Sequence, residues 1–326
     1  MLRKLTHLMV AAIVLAAMCI GVRPASAAWP DRPVTILVPW GAGGAADQLA
    51  RMLGSLLEQE FNVPFNVVNR TGGSGAVGHS AIAQAKPDGY NIGLGTVEIT
   101  MMHWQNLVPI TYQDFTTFAI INTDAGGLMV RENSPYKTAK ELIDDIKTKP
   151  AKALKASGTG QGGIWHLGLV GWLISEKVDP NKIPWVPSQG SAPAMNDLLA
   201  GGVDFVTASL PEGRALIDAG RVRALANMDD QRLWLYPNVP TLKEAAGSDW
   251  KIITWRGVFG PKGIPQEVSD RLVPAIQKAH SSEKFKSLMK EQGYGWTWLG
   301  PKEATEHMAK ADKEFGTLMK EAGLAK

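Results

Sequence analysis

The chain has 326 residues, 20% of them charged, with a formal net charge of +3, and a single cysteine. One cysteine excludes an intramolecular disulfide framework and a multi-thiolate metal site. A near-balanced charge gives no basic surplus that would point to nucleic acid or an anionic membrane as partner.

The first 27 residues read as an export signal. Arg3 and Lys4 lead into an apolar run over residues 8–20, and Ala25-Ser26-Ala27 is a small-residue cleavage site. The run is short for a membrane span. Met18 precedes Cys19 where a lipoprotein signal requires a small residue, so cleavage is expected after Ala27 and secretion to the periplasm follows. Cleavage removes Arg3, Lys4, Arg23 and Cys19, which leaves 31 charges of each sign and no cysteine. The remaining length suits two domains of about 150 residues.

Strands are expected at 34–38, 65–68 and 92–96, with helices at 46–61 and 77–85 between them. The apolar stripe Leu49, Met52, Leu53, Leu56, Leu57 has helical spacing. This alternation implies βαβ units and a parallel sheet. Short strands at 118–121 and 128–130 then link to a second region. Thr138 and Glu141 form a capping box for a helix at 139–147. Further strands are expected at 153–156, 185–186, 203–208 and 222–228, and helices near 165–175, 192–200 and 211–219. A strand at 255–259 and helices at 267–279, 283–292 and 302–321 complete the chain. No long flexible linker separates the regions, as expected if the chain crosses twice between two α/β lobes and its last helices return to the first.

Four segments share one form, a strand, then small or polar residues, then a helix: 40–47, 96–100, 157–161 and 188–191. In open parallel sheets ligands bind beyond the carboxyl ends of strands, and the first N–H groups of a helix lack intrahelical acceptors. The four loops are therefore expected to face one cleft and to hold a solute carboxylate by main-chain amides, with no arginine or lysine in any of them. The candidate ligand contacts are Trp40, Ala42, Gly43, Gly44, Ala45 and Asp47; then Thr96, Glu98 and Thr100; then Ser157, Gly158, Thr159, Gly160, Gln161 and His166; and Gln189, Ser191 and Ser209. Asp47 equally suits favourable interaction with its own helix N-terminus or fixing of the loop. Of the aromatic residues near these loops, Trp40 and Trp165 are the two expected to reach the ligand.

Rival chemistries find less support. Gly73-Ser74-Gly75-Ala76-Val77-Gly78 has the glycine spacing of a dinucleotide site, with Glu98 twenty residues beyond. Export removes the chain from the cytosolic cofactor pool, and close helix–strand packing explains these glycines more simply, so no cofactor is expected. There is no nucleophile elbow, no His-Glu-x-x-His and no Walker loop, and the six histidines (His7, His79, His103, His166, His280, His307) lack ligand spacing. No catalytic or metal residues are assigned; an exported hydrolase or oxidoreductase using the same cleft is the alternative.

Taken in order, the motifs resemble the Bug-type extracytoplasmic solute receptors of the tripartite tricarboxylate transporter system. They are Trp29-Pro30-Asp31-Arg32-Pro33; Pro39-Trp40-x-x-Gly43-Gly44-x-x-Asp47; Asn69-Arg70-x-Gly72-Gly73-x-Gly75; and Lys86-Pro87-Asp88-Gly89-Tyr90. Ser191-Ala192-Pro193-Ala194, Asp197-Leu198-Leu199 and 220–226 follow, then Pro237-x-Val239-Pro240-Thr241 and Phe259-x-Pro261-x-Gly263-x-Pro265. The resemblance implies a two-lobe α/β fold of the type II periplasmic binding protein, or Venus-flytrap, kind, each lobe a sheet flanked by helices, with two interlobe crossings. The expected division is 28–125 plus 254–326 against 126–253. The resemblance also implies that the loops at 40–47 and 157–161 grip a ligand carboxylate, and that the partners are a small carboxylate and membrane permease subunits, the receptor being a monomer. Glu98 departs from the small neutral residues usual in its loop, and Gln189 from a lysine. A buried Glu98 repels a dicarboxylate or holds a proton, so the expected ligand is less anionic than a di- or tricarboxylate: a monocarboxylate with an amine or aromatic part.

Overall fold

The computed structural model describes residues 28–326; the export signal, its cleavage site and Cys19 lie outside the described residues. Three parallel strands open the fold: β1 (Val34–Val38) lies between β2 (Phe65–Asn69) and β3 (Asn91–Thr96). Helix α1 (Ala45–Phe61) buries Leu49, Leu53 and Leu57 against this sheet, the stripe that its spacing predicts. It stops at Asn62, whose φ of 55° is left-handed and ends the helix with a backbone bond to Glu58.

Where two short strands are expected, the chain forms one 17-residue strand, β4 (Phe115–Arg131). Its first half pairs antiparallel with β8 (Ile253–Pro261) as far as Ala125↔Ile253, and with β9 (Trp296–Leu299). Its second half pairs with β6 (Phe205–Ala208) and, from Gly126, with β7 (Val222–Met228). The polar and glycine stretch 122–127 hides this continuity in the sequence, yet it is the point where β4 changes partners. A Cβ on Gly126 would meet Ile252 Cγ2 at 2.7 Å and one on Gly127 would meet Leu210 Cδ2 at 2.4 Å, so packing at the crossing requires both glycines. The strand order β2-β1-β3-β8-β4-β6-β5, with β5 (Ala156–Ser157) at the far edge, is one continuous sheet whose two ends serve two lobes.

Other elements depart in detail. The expected strand at 185–186 is a single bridge, Trp185 to Ala156. The expected helix at 211–219 is a 3-10 turn (Leu210–Gly213) followed by a five-residue helix, Arg214–Asp218. Strand β9 and the short helix Leu242–Ala246 are additional, although the latter carries a capping box from Thr241 and Glu244. The Thr138–Glu141 box holds as read, with bonds of 3.0 and 3.1 Å at the start of the helix Ala139–Thr148. The last three helices are Gln266–Ser281, Glu283–Gln292 and Pro301–Glu321; Lys278 of the first pairs with Glu60 of α1, and β9 joins the first half of β4. No helix among the described residues is long and apolar enough to cross a membrane.

The glycine turn at 72–75 is explained by packing. Gly72, Gly73 and Gly75 all take positive φ, and Ser74 Oγ donates to the Gln161 carbonyl of the second lobe at 2.8 Å. Gly78 sits where the helix Ala76–Ala83 touches β1: an added Cβ would lie 2.4 Å from Pro39 Cα and 2.6 Å from the Arg70 carbonyl oxygen. Those are backbone atoms that cannot rotate away. Gly78→Ala is therefore expected to lower unfolding free energy by about 1–3 kcal/mol in urea titration, although alanine favours helix. Gly263→Ala, with a φ of +88° and nothing within 4 Å, is expected to lose only about 1–2 kcal/mol from its backbone conformation.

Candidate ligand-binding site

Three helices end on one small cavity. Gly44 and Ala45 open α1, Gly190 and Ser191 open α5 (Ser191–Ala200), and Ile164 opens α4 (Ile164–Ser175); all five residues except Gly190 and Gly44, which are N-caps, are first helical positions. The intervening helices α2 and α3 are those already described at Ala76–Ala83 and Ala139–Thr148. None of the three N-caps is a residue with a side-chain acceptor, since all are glycine. The N–H groups of a first turn then need an acceptor from elsewhere, and the helix dipole favours a negative one. The cavity holds about 30 Å³, far below the ~300 Å³ of an ordinary small-molecule pocket.

Its size reflects lobes that are shut against each other. Gly41 N–H donates to the Gln189 carbonyl at 2.9 Å, Thr71 Oγ1 to Gln189 Oε1 at 2.9 Å, and Gln105 Nε2 to the Gly162 carbonyl at 3.1 Å. A Cβ on Gly160 would strike Ser74 Oγ at 2.3 Å. Gln161, Gln189 and Gly160 thus serve the seam between the lobes.

Asp47 builds the first loop. Its carboxylate accepts from Gly43 N–H, Arg51 Nε and Asn69 Nδ2, each at 3.0 Å, while Asn69 Nδ2 also reaches the Trp40 carbonyl. Burial alone would raise its pKa, but these bonds outweigh that and hold it below the usual carboxylate value. With its oxygens so occupied, Asp47 fixes the turn and does not line the cavity.

Glu98 takes the position expected of a solute. Its Oε1 accepts the Ile164 N–H at 3.1 Å, so a carboxylate of the first lobe caps a helix of the second. Oε2 accepts from Thr96 Oγ1, which itself accepts from Trp40 Nε1 at 3.0 Å. His79 supports this chain from below: its Nε2 accepts the Thr96 N–H, so the proton lies on Nδ1, facing the Gly75 carbonyl. Burial holds His79 and His166 neutral, each with a pKa pushed down to about 4. Burial raises the pKa of Glu98, against the lowering effect of Thr96, Ile164 N–H and Arg256.

The four loops hold no arginine or lysine, but a cationic side chain from elsewhere, Arg256, stands at the cavity. It lies on β8, outside all four loops, and lines the cavity. Its guanidinium is buried and contacts Asp124 Oδ2 and Asn122 Oδ1 at 2.5 Å and Glu212 Oε1 at 3.2 Å. Glu212 also accepts from Ser191 Oγ at 2.9 Å and from Ser209 Oγ at 3.1 Å. The charge is therefore present but already balanced by two carboxylates.

Of the residues singled out in the sequence, Trp40, Gly44, Ala45, Thr96, Glu98, Thr159 and Ser191 line this cavity together. Ala42 and Gly43 are exposed at the turn. Thr100 Oγ1 donates to the Val97 carbonyl and closes a local turn, while Ser157 Oγ donates to the Val186 carbonyl and ties two distant segments together. Gly158 is there because a Cβ would meet the Thr207 carbonyl oxygen at 2.3 Å. His166 accepts the Gly162 N–H at Nδ1 and packs on Trp185. Ser209 serves Glu212. Gly41, Ala46, Ile164, Gly190, Glu212, Thr254 and Arg256 line the cavity without having been singled out, and Trp165 joins Trp40 there. Thr159 Oγ1 is buried and has no hydrogen-bond partner. Among the described residues, no group of three His, Cys, Asp or Glu side chains could hold a metal.

Two α/β lobes joined by a shared sheet and closed over helix N-termini define a type II periplasmic binding protein. The family model described as "Tripartite tricarboxylate transporter family receptor" matches residues 49–324, and the chain belongs to that family. Over 271 residues it is 33% identical to a UPF0065 protein from the tcbD-tcbE intergenic region of Pseudomonas sp. (strain P51), covering 82% of this chain and 79% of that one. The solved periplasmic binding protein BugD superposes with a TM-score of 0.85 at 28% identity, covering 91% of this chain and all of its own. R. palustris Rpa4515, solved with adipate, gives the same TM-score and identity, covering 91% of this chain and 99% of its own.

Two measurements test the buried charges. Arg256→Met leaves Asp124 and Glu212 buried without their cation and is expected to cost about 3–5 kcal/mol in urea unfolding. For Glu98, a raised folded-state pKa means a contribution fully present below the ordinary value of 4.5 and lost as pH rises through the folded value. Glu98→Gln does not titrate, so its melting temperature is expected to gain on the wild type as pH rises above 4.5 and to level off once the buried carboxyl has ionised; equal slopes would show that Glu98 is not buried as described.

Proposed function

We propose that the chain is the periplasmic receptor of a tripartite tricarboxylate-type transporter, which captures a small organic carboxylate between its lobes and delivers it to membrane permease subunits. The family, composed of solute-binding receptors and not of enzymes, supports this reading, as does the adipate complex of Rpa4515. The reading includes export with cleavage after Ala27, a monomeric receptor, and capture without turnover. It divides the lobes at 28–125 plus 254–326 and 126–253, supported by the exchange of partners along β4 between Ala125 and Gly126.

One observation carries the choice of site: the buried Thr159 hydroxyl lacks a partner in a cavity that the uncapped N-termini of α1 and α5 also line. A carboxylate oxygen would accept from that hydroxyl and from the first N–H groups of Gly44–Ala46 and Ser191. The tryptophan rings of Trp40 and Trp165 supply apolar walls, so a solute with an apolar or planar body fits between them. Binding across both lobes favours closure only by as much as the solute prefers the closed state to the open one.

Thr159→Val separates this role from packing. Removing an unpartnered buried hydroxyl is expected to leave the free protein as stable as the wild type or slightly more so. Loss of a bond to an ionised ligand is expected to weaken carboxylate binding by about 1.5–3 kcal/mol, roughly ten- to a hundredfold. Calorimetric titration with a panel of mono- and dicarboxylates, checked by thermal melting, reads both. Unchanged affinity for every acid that binds the wild type would remove Thr159 from the site.

A further inference from the structure

We propose that Glu98 is a built-in carboxylate that fills one of two anion positions in the cleft, so that the receptor selects monocarboxylates with an uncharged or cationic remainder and rejects dicarboxylates. The inference rests on the receptor reading above and deepens it by assigning the solute class.

The geometry is that of a ligand contact made by the protein itself. Glu98 projects from the first lobe, anchored through Thr96 and Trp40, and accepts the first N–H of α4 in the second lobe at 3.1 Å. Gly163, the N-cap of α4, has no side chain to do this: a Cβ there would already stand 3.5 Å from Glu98 Oε1. The N-termini of α1 and α5 line the same cavity and receive no such internal cap. One helix start is thus supplied from within, and the other two are left for an acceptor from outside. The unpartnered Thr159 hydroxyl lines the same cavity, beside the N-cap of α4: a Cβ on Gly163 would meet it at 2.8 Å.

Charge points the same way. Arg256 is already matched by Asp124 and Glu212, so among the described residues lining the cavity no free cation remains to hold a second solute carboxylate. A dicarboxylate would have to displace Glu98 from the Ile164 N–H or lie beside it, and like charges within about 4–6 Å disfavour one another in a buried site. An amine on the solute meets the opposite situation, because Glu98 and Glu212 both line the cavity.

The test compares length-matched acids on the wild type, Glu98→Gln and Glu98→Ala by calorimetry: hexanoate, 6-aminohexanoate and adipate, with butanoate and succinate as the shorter pair. In the wild type the better monocarboxylate is expected to bind at least tenfold more tightly than its dicarboxylate match. Glu98→Ala, which vacates the α4 position, is expected to reverse that order by at least tenfold. Glu98→Gln, which keeps the bulk but removes the charge, is expected to lose affinity for 6-aminohexanoate and to gain adipate less than Glu98→Ala does. The wild-type comparison needs no variant, so it decides even if Glu98→Ala does not fold. Wild-type protein that binds adipate or succinate as tightly as the matched monocarboxylate would overturn the inference and leave the receptor reading intact. If none of the five acids binds wild type or folded variants, the receptor reading falls and takes the inference with it.

Discussion

A helix that begins inside a protein brings N–H groups that must find an acceptor, and this chain directs three such beginnings at one cavity. Each N-cap is a glycine, so none can serve its own helix. Together the three starts place roughly half a unit of positive charge apiece at one point. The protein answers that demand at one start only. Glu98 crosses the cleft to α4, whereas Glu212 takes the Ser191 hydroxyl at the head of α5 and Asp47 holds the turn ahead of α1. Glycine at these positions also permits the close approach of the lobes, as Gly41 and Gly160 show where they meet Gln189 and Ser74.

The long strand β4 carries the chain across this convergence. A single strand passing between two sets of partners joins the lobes without a loop, and Ile252 beside Gly126 marks the return crossing. The lobes then meet through side-chain and main-chain bonds at the rim, several of them exposed, which water can replace at little cost. The buried bond from Ile164 to Glu98 is different, since both groups lose hydration when it forms.

The periodic parts of the fold were legible. The strand–helix alternation through residue 96, the capping box at Thr138 and the amphipathic C-terminal helices all carried local signals strong enough to survive tertiary context. Strand β4 was misread as two pieces because Asn122, Thr123, Asp124 and two glycines lack apolar periodicity; their role is set by the crossing, which no local window contains. Strand β9 is four residues, too short to announce a period. Thr241 and Glu244 did signal a helix start, but only five residues follow.

The site divides along the same line. Strand-to-helix turns are local, so the loops at 40–47, 96–100, 157–161 and 188–191 could be named, though only part of each faces the cavity. Arg256 could not be placed, because its position depends on β8 pairing between β3 and β4, strands that are more than a hundred residues away in the chain. Its signal was an arginine within an otherwise apolar strand, Ile253–Pro261, as Glu98 is an acid among Val97, Ile99 and Thr100. A charge in such a run must find a partner or lose its ionisation when the strand is buried. Arg256 found two carboxylates and stayed charged. Glu98 found a hydroxyl and a main-chain donor in place of an ion-pair partner, and its burial raises its pKa.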